Sequence, residues 1–241
     1  ALGSRFEKKK RAETGWGNNH LVLLAQNYIG YKNLMKLVTL GYLEGFYYRP
    51  RVDMDLLKKY SEGIICLSGC LKGIIPEKML KNDFKGAKES ALKFAEIFPN
   101  RFYLEIQDHG IAEEKANLIN MKKLSSELNL PLVCTNDAHY SKNNHSEAHD
   151  IHICLGTGKT RDDVNRLKYA TPEFYFESQD EMFNLFKEFP GAIENTRKIA
   201  DSIEIELPMG SYHLPNFQMP NDTPTKQPDE YLKTLASKGA E

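Results

Sequence analysis

Three short apolar runs in this chain each end on a side chain able to hold a metal ion. Residues 63–69 (GIICLSG) lead into Cys70. Residues 102–106 (FYLEI) lead through Gln107 and Asp108 to His109. Residues 131–135 (PLVCT) lead through Asn136 to Asp137, with His139 two positions on. Thiolate, imidazole and carboxylate are the donors that bind zinc-like cations. Each residue has a plainer reading. Asp137 and His139 would also suit a capped turn with an incidental histidine, His109 a surface turn, and Cys70 a small buried apolar position. Recurrence of the pattern at three run ends favours one shared metal site built from Cys70, His109, Asp137 and His139.

Other chemistry-bearing residues fit less directly. Cys66 and Cys134 lie inside the apolar runs and are expected in the core. His145, His149 and His152 are spaced i, i+4, i+7 and fall near one helical face; packing or support of a ligand is preferred over a separate metal site. The Tyr47-Tyr48-Arg49-Pro50-Arg51 stretch mixes aromatic and basic residues. Arg49 and Arg51 are candidates for holding a phosphate, and a surface loop with their stems along apolar neighbours remains equally open. The chain has no Walker-type loop, no G-x-G-x-x-G and no G-x-S-x-G, and Ser68 has no evident base partner.

The elements that must position these residues alternate. His20 to Ala25 is a strand pattern, followed by Tyr31, Leu34, Met35 and Val38 at helical spacing. Asp53 is placed to cap a short helix reaching Tyr60, and Asp83 to cap one whose Phe84, Ala87, Ala91, Phe94 and Ala95 share a face. A helix over about 112–128 turns Leu118, Met121, Leu124 and Leu128 inward. This β-α alternation is the grammar of a parallel sheet or barrel, in which strand ends of one polarity gather on one face. Four strands do not close such a barrel, so either an open sheet or missing strands follow. Beyond residue 140 the pattern predicts a helix over Asn144 to Leu155, a short strand at Phe174 to Phe176, a capping box at Ser178 to Glu181, and a helix opening near Pro190 and ending about Ser202. Residues 1–206 read as one domain. Residues 207–228 hold five prolines and read as a connector, and 229–241 as the start of a further helix.

At 241 residues, with 41% hydrophobic and 27% charged residues, the chain can bury a sizeable core. No apolar run approaches the roughly 20 residues of a membrane span. A net charge of −1 argues against a chain coated in basic charge, although Lys8 to Arg11 form a local basic loop. Four cysteines without close spacing suit a reducing compartment. The start at Ala1 suggests a piece of a longer chain.

Taken together, the strings His20-Leu-Val-Leu-Leu-Ala25, Gly30-Tyr-Lys-Asn-Leu34, Glu44 to Asp53, Leu67-Ser-Gly-Cys70, Glu105 to Gly110, Thr135 to Tyr140 and Tyr212-His-Leu-Pro215 resemble the PHP (polymerase and histidinol phosphatase) domain of the α subunits of bacterial DNA polymerase III. The resemblance covers nearly the whole chain. It implies an α/β fold, part of a distorted (β/α)7, TIM-like barrel with added helices and a C-terminal linker, here without its first β/α units. It implies a cluster of up to three divalent metals, Zn2+ or Mn2+, at the strand ends, with Cys70, His109, Asp137 and His139 at ligand positions. The family's earlier ligands would precede Ala1. The implied chemistry is phosphate-ester hydrolysis, expected as 3′–5′ exonuclease proofreading on the primer 3′ end of DNA, with Asp137, His139 and His109 catalytic. Expected partners are DNA, the polymerase core of the same chain and other replicase subunits, with a cytoplasmic, membrane-free location. The competing expectation is a metal-stabilised docking module for the polymerase core or for a separate proofreading exonuclease. A free-standing phosphatase of histidinol phosphate type is disfavoured by the connector and the unfinished final helix. The isolated chain is expected to be weakly active or inactive.

Overall fold

The computed structural model describes residues 3–7, 18–212, 214–223 and 225–240. The basic cluster at 8–11 and His213 lie outside the described residues. The chain divides into two compact units, Ala1–Glu206 and Leu207–Glu241.

The first unit is built on a four-stranded sheet of order β1-β2-β3-β4: β1 (Val22–Ala25), β2 (Ile64–Leu67), β3 (Phe102–Ile106) and β4 (Leu132–Cys134). β2, β3 and β4 are parallel, with Leu67 opposite Tyr103 and Glu105 opposite Val133. β1 runs the other way, pairing Val22 with Leu67 and Ala25 with Ile64. This corrects the expectation of a single strand polarity. The sheet is mixed α/β and open among the described residues. The reversal decides where His20 lies: at the edge where β2 ends, its N–H bonded to the Lys72 carbonyl at 3.0 Å.

The helices form for local reasons visible in the sequence. Helix α1 (Tyr28–Leu43) is capped by Asn27, and α2 (Met54–Lys59) by Asp53, whose carboxylate accepts the Leu56 N–H at 3.1 Å. Helix α3 (Ile74–Leu80) follows the Cys70 loop and was not anticipated; its seven residues, about two turns, are too short to show a period. Helix α4 (Phe84–Ile97) is capped by Asp83, and α5 (Ala112–Leu128) ends on Asn129 in the left-handed region. After a single turn at Asn143–His145 come α6 (Ser146–Thr157), α7 (Gln179–Phe186) with the Ser178–Glu181 capping box, and α8 (Ala192–Asp201). The strand expected at Phe174 to Phe176 reduces to one bridge between Tyr140 and Tyr175.

One face of the sheet, with Ile64, Cys66, Leu104, Ile106 and Cys134, packs into the main core with Ala87, Ala91, Phe94, Leu118, Met121 and Leu124. The other face, with Ile65, Leu67 and Val133, makes a smaller cluster with Ile199 of α8. Cys66 and Cys134 are buried, as expected. On α1 the expected inward face is only partly right. Leu37, Gly30 and Gly41 are buried, whereas Met35 and Val38 are exposed. Gly30 sets that face: α1 approaches the turn before β2 so closely that a Cβ on Gly30 would overlap the Gly63 carbonyl oxygen.

The second unit holds α9 (Pro228–Gly239), with Pro228 in its first turn and Tyr231 stacked on Phe217 at 6.0 Å. No helix among the described residues is long and apolar enough to cross a membrane.

Candidate metal centre

The carboxyl end of the parallel strands gathers the candidate ligands onto one edge of the sheet. β2 runs into Ser68, Gly69 and Cys70, β3 into Gln107 to His109, and β4 into Thr135 to His139. Glu105 ties these loops together from beneath. It is 4% exposed, and its carboxylate accepts the Gly69 N–H at 3.0 Å and the Thr135 hydroxyl at 2.6 Å. Its own N–H donates to Ser68 Oγ at 2.8 Å. Burial raises its pKa, opposed by those donors and by the charge of His20. Sequence reasoning passed over Glu105. The available signal was a lone acidic residue inside a strand otherwise buried on both faces.

Cys70 lies with its sulfur 3.2 Å from His20 Nδ1. Burial pushes its thiol pKa up, a backbone bond at Lys72 pulls it down, and the charges of Asp137 and Glu105 raise it further. The thiol is therefore protonated near neutral pH, and cation binding there must displace a proton. His20 was missed because a strand of the expected polarity would have carried it to the far edge of the sheet.

His139 is exposed. Its Nδ1 lies 2.7 Å from the Asp137 carbonyl oxygen. A carbonyl only accepts, so Nδ1 carries the hydrogen and Nε2 keeps its lone pair for a ligand. Asp137 is exposed in the left-handed region, φ 45°, an arrangement Asp tolerates better than most residues. Its charge is felt at Cys70, Glu105 and His109.

His109 is held differently. It is 1% exposed and stacked on Phe174 with ring centroids 4.2 Å apart. Nδ1 lies 2.9 Å from Glu114 Oε1 and Nε2 2.8 Å from the Asn136 carbonyl oxygen. Both partners are acceptors. Burial lowers its pKa, but Glu114 and the Asn136 carbonyl outweigh that and the net shift is upward. In this arrangement the ring offers no lone pair. These contacts tie the ring to Glu114 and to the Asn136–Asp137 turn.

The donor set of sulfur, imidazole and carboxylate suits a divalent cation of zinc type. Side-chain donors meet only as a pair, His20 with Cys70, while His139 contacts Asp137 through the latter's backbone carbonyl. Among the described residues no three His, Cys, Asp or Glu side chains converge on one point.

The expected phosphate contacts separate. Arg51 is 7% exposed, donates to the Gly45 and Arg5 carbonyls at 2.9 Å each, and lies over the Tyr47 ring at 5.5 Å. These contacts hold the Arg51 guanidinium against Tyr47, Gly45 and Arg5. Arg49 is exposed on the same loop. Of the three helical histidines, His149 packs beside His139 at 5.9 Å between ring centroids.

The chain matches the PHP domain family over residues 2–109. It is 46% identical over 232 residues to the DNA polymerase III subunit alpha of Borreliella burgdorferi, covering 96% of this chain and 20% of that protein. Against the same subunit of Treponema pallidum the identity is 40% over 237 residues, 98% of this chain and 20% of that protein. Against that of Thermus aquaticus it is 35% over 245 residues, 99% of this chain and 20% of that protein. The chain thus spans about a fifth of the length of the curated relatives it matches.

Proposed function

We propose, for a chain that belongs with the PHP domains of bacterial DNA polymerase III α subunits, that His20, Cys70, Asp137 and His139 hold divalent cations and that the site hydrolyses phosphate esters at the 3′ end of a DNA strand. The observation that carries this reading is the placement of the His20–Cys70 pair and the Asp137–His139 turn at the same end of the sheet, with Asp137's charge felt at Cys70. A bound cation would lower the pKa of a water and stabilise charge on the phosphate oxygens. The chain's own residues supply the rest. His139 presents Nε2, Asp137 supplies negative charge, and Glu105 and His109 are positioning residues that fix the two turns. Further donors would complete the set, in keeping with a seven-unit barrel larger than this sheet. On this reading the whole protein is a cytoplasmic replicative polymerase with 3′–5′ proofreading. Residues 1–206 are then its PHP domain, 207–228 a connector and 229–241 the lead into the polymerase core. Zinc or manganese is the expected ion.

The test is metal content after exhaustive dialysis, together with trimming of a mismatched primer by the full-length protein. Asp137→Asn should lower both. Unchanged metal content and unchanged trimming would overturn the reading. A second reading is favoured by His109, whose two ring nitrogens and buried faces are all engaged: a metal-stabilised docking module for the polymerase core or a separate exonuclease subunit. Under it, chelation lowers the melting temperature, yet neither manganese nor zinc elicits phosphoesterase activity.

A further inference from the structure

We infer that the cavity between α6 and the 161–172 segment is a subsite for one nucleotide of a single-stranded DNA substrate, its base against Tyr169 and His149 and its phosphate on Lys168. The inference rests on the phosphoesterase reading above and names where that substrate lies. The cavity measures about 310 Å³, at the small end of ligand sites. It shares a wall with the candidate metal centre: the Tyr169 ring stands 4.9 Å from that of His139, and the His149 ring 5.9 Å.

Its lining has the two kinds of group a nucleotide needs. Tyr140, His149 and Tyr169 form a continuous aromatic surface, with His149 centred 5.1 Å from Tyr140 and 5.3 Å from Tyr169. Rings accept any base by stacking, so such a surface is tolerant of sequence. The Tyr140 hydroxyl is committed to the Pro172 carbonyl at 2.8 Å, which fixes that end of the surface. The two acidic side chains of the lining, Glu147 and Asp150, are each paired with an arginine. Glu147 is paired with Arg161 at 2.9 Å, and Asp150 takes both terminal nitrogens of Arg166. Lys168 is exposed and makes no hydrogen bond or ion pair among the described residues. The Lys168 ammonium is felt at Asp150 but is held by no hydrogen bond among the described residues, and one such exposed charge beside an aromatic wall fits one phosphate and one base. An acidic peptide would use the ammonium but not the rings.

The experiment is fluorescence anisotropy of a fluorescein-labelled oligothymidylate on the full chain, in chelator so that no cation is required. Tyr169→Ala should weaken binding about tenfold, within the usual range for a base–aromatic stack, and Tyr169→Phe should restore it. Lys168→Ala should weaken binding several-fold and reduce the salt slope by about 0.7, as expected for one contact to a single strand. Lys88→Ala on α4 removes the same charge elsewhere and should change nothing. Should Tyr169→Ala fail to fold, Lys168→Glu at its exposed position decides. The inference is overturned if the unaltered chain does not bind, if the Lys168 and Tyr169 variants bind as it does, or if an oligoglutamate displaces the strand equally well. Asp137→Asn separates the two readings: it should lose metal and keep oligonucleotide binding in chelator. Cavity-dependent binding by a chain that takes up no metal would sink the metal reading alone.

Discussion

His109 and Glu114 form a buried pair, 2% and 6% exposed at the side chains, and stabilise the turn that carries Asp137. The pKa of His109 is raised in the fold, so its contribution is fully present below about 6.5 and is lost as pH rises through the higher folded value. Glu114→Gln is expected to cost about 1–3 kcal/mol at pH 6 and less at pH 8.5, measured by urea denaturation at the two pH values. A cost independent of pH would show that the imidazolium is not the species held. Glu177 works in the opposite sense. It is 8% exposed, and burial lifts its carboxyl to about 7, helped by Glu181, Glu173 and Asp108 and opposed by His109. A raised carboxyl favours the unfolded state progressively from about pH 4.5 to pH 7. Glu177→Gln should therefore stabilise the fold by roughly 1–3 kcal/mol at pH 8 and by little at pH 4. A variant less stable than its parent at pH 8 would refute this account.

Among the elements, α1 and the turn before β2 are the most demanding contact. Gly63 has φ 67° and lies against Gly30, and the Gly63 carbonyl also accepts the Gln26 N–H at 2.7 Å. No side chain fits between them. Gly30→Ala, a change that helix propensity alone would favour by about 1 kcal/mol, is expected instead to destabilise by roughly 2–3 kcal/mol. Thermal melts check the sign. If Gly30→Ala proves stabilising, α1 does not pack on β1 and β2 as described. The same contact explains why the apolar spacing of α1 misled. Its apolar residues run round much of the helix, and the buried stripe is chosen by the contact of Gly30 with Gly63 that lets the helix come close. In α4 and α5, Ala87, Ala91, Phe94, Leu118, Met121 and Leu124 repeat on one stripe only, so their inward faces were legible.

At the scale of the molecule, the question is what completes the donor set. If His20, Cys70, Asp137 and His139 take a cation, binding stabilises the native state by mass action. Zinc or manganese at about a hundred times its dissociation constant should raise the melting temperature by about 5–10 °C. The gain should be greater at pH 8 than at pH 6, because Cys70, whose pKa is raised, must release its proton. A melting temperature unmoved by either ion at both pH values would show that these donors do not form a site in this chain.

Local chemistry determined much of this protein from its sequence. Asp53, Asp83 and the Ser178–Glu181 box start helices because their oxygens satisfy backbone donors a few residues away. The apolar runs of β2, β3 and β4 are strands because both faces are covered, and the ends of those runs marked the edge where Cys70, His109, Asp137 and His139 lie. Interactions between residues far apart decided the rest. The direction of β1 depends on its pairing with β2, and nothing within six residues encodes it. That direction alone brings His20 to Cys70. Whether His109 offers a lone pair or gives up both ring positions was set by Glu114, Asn136 and Phe174, which the fold assembles around it. Residue type states which donors exist; only the packed structure fixes which lone pairs remain free.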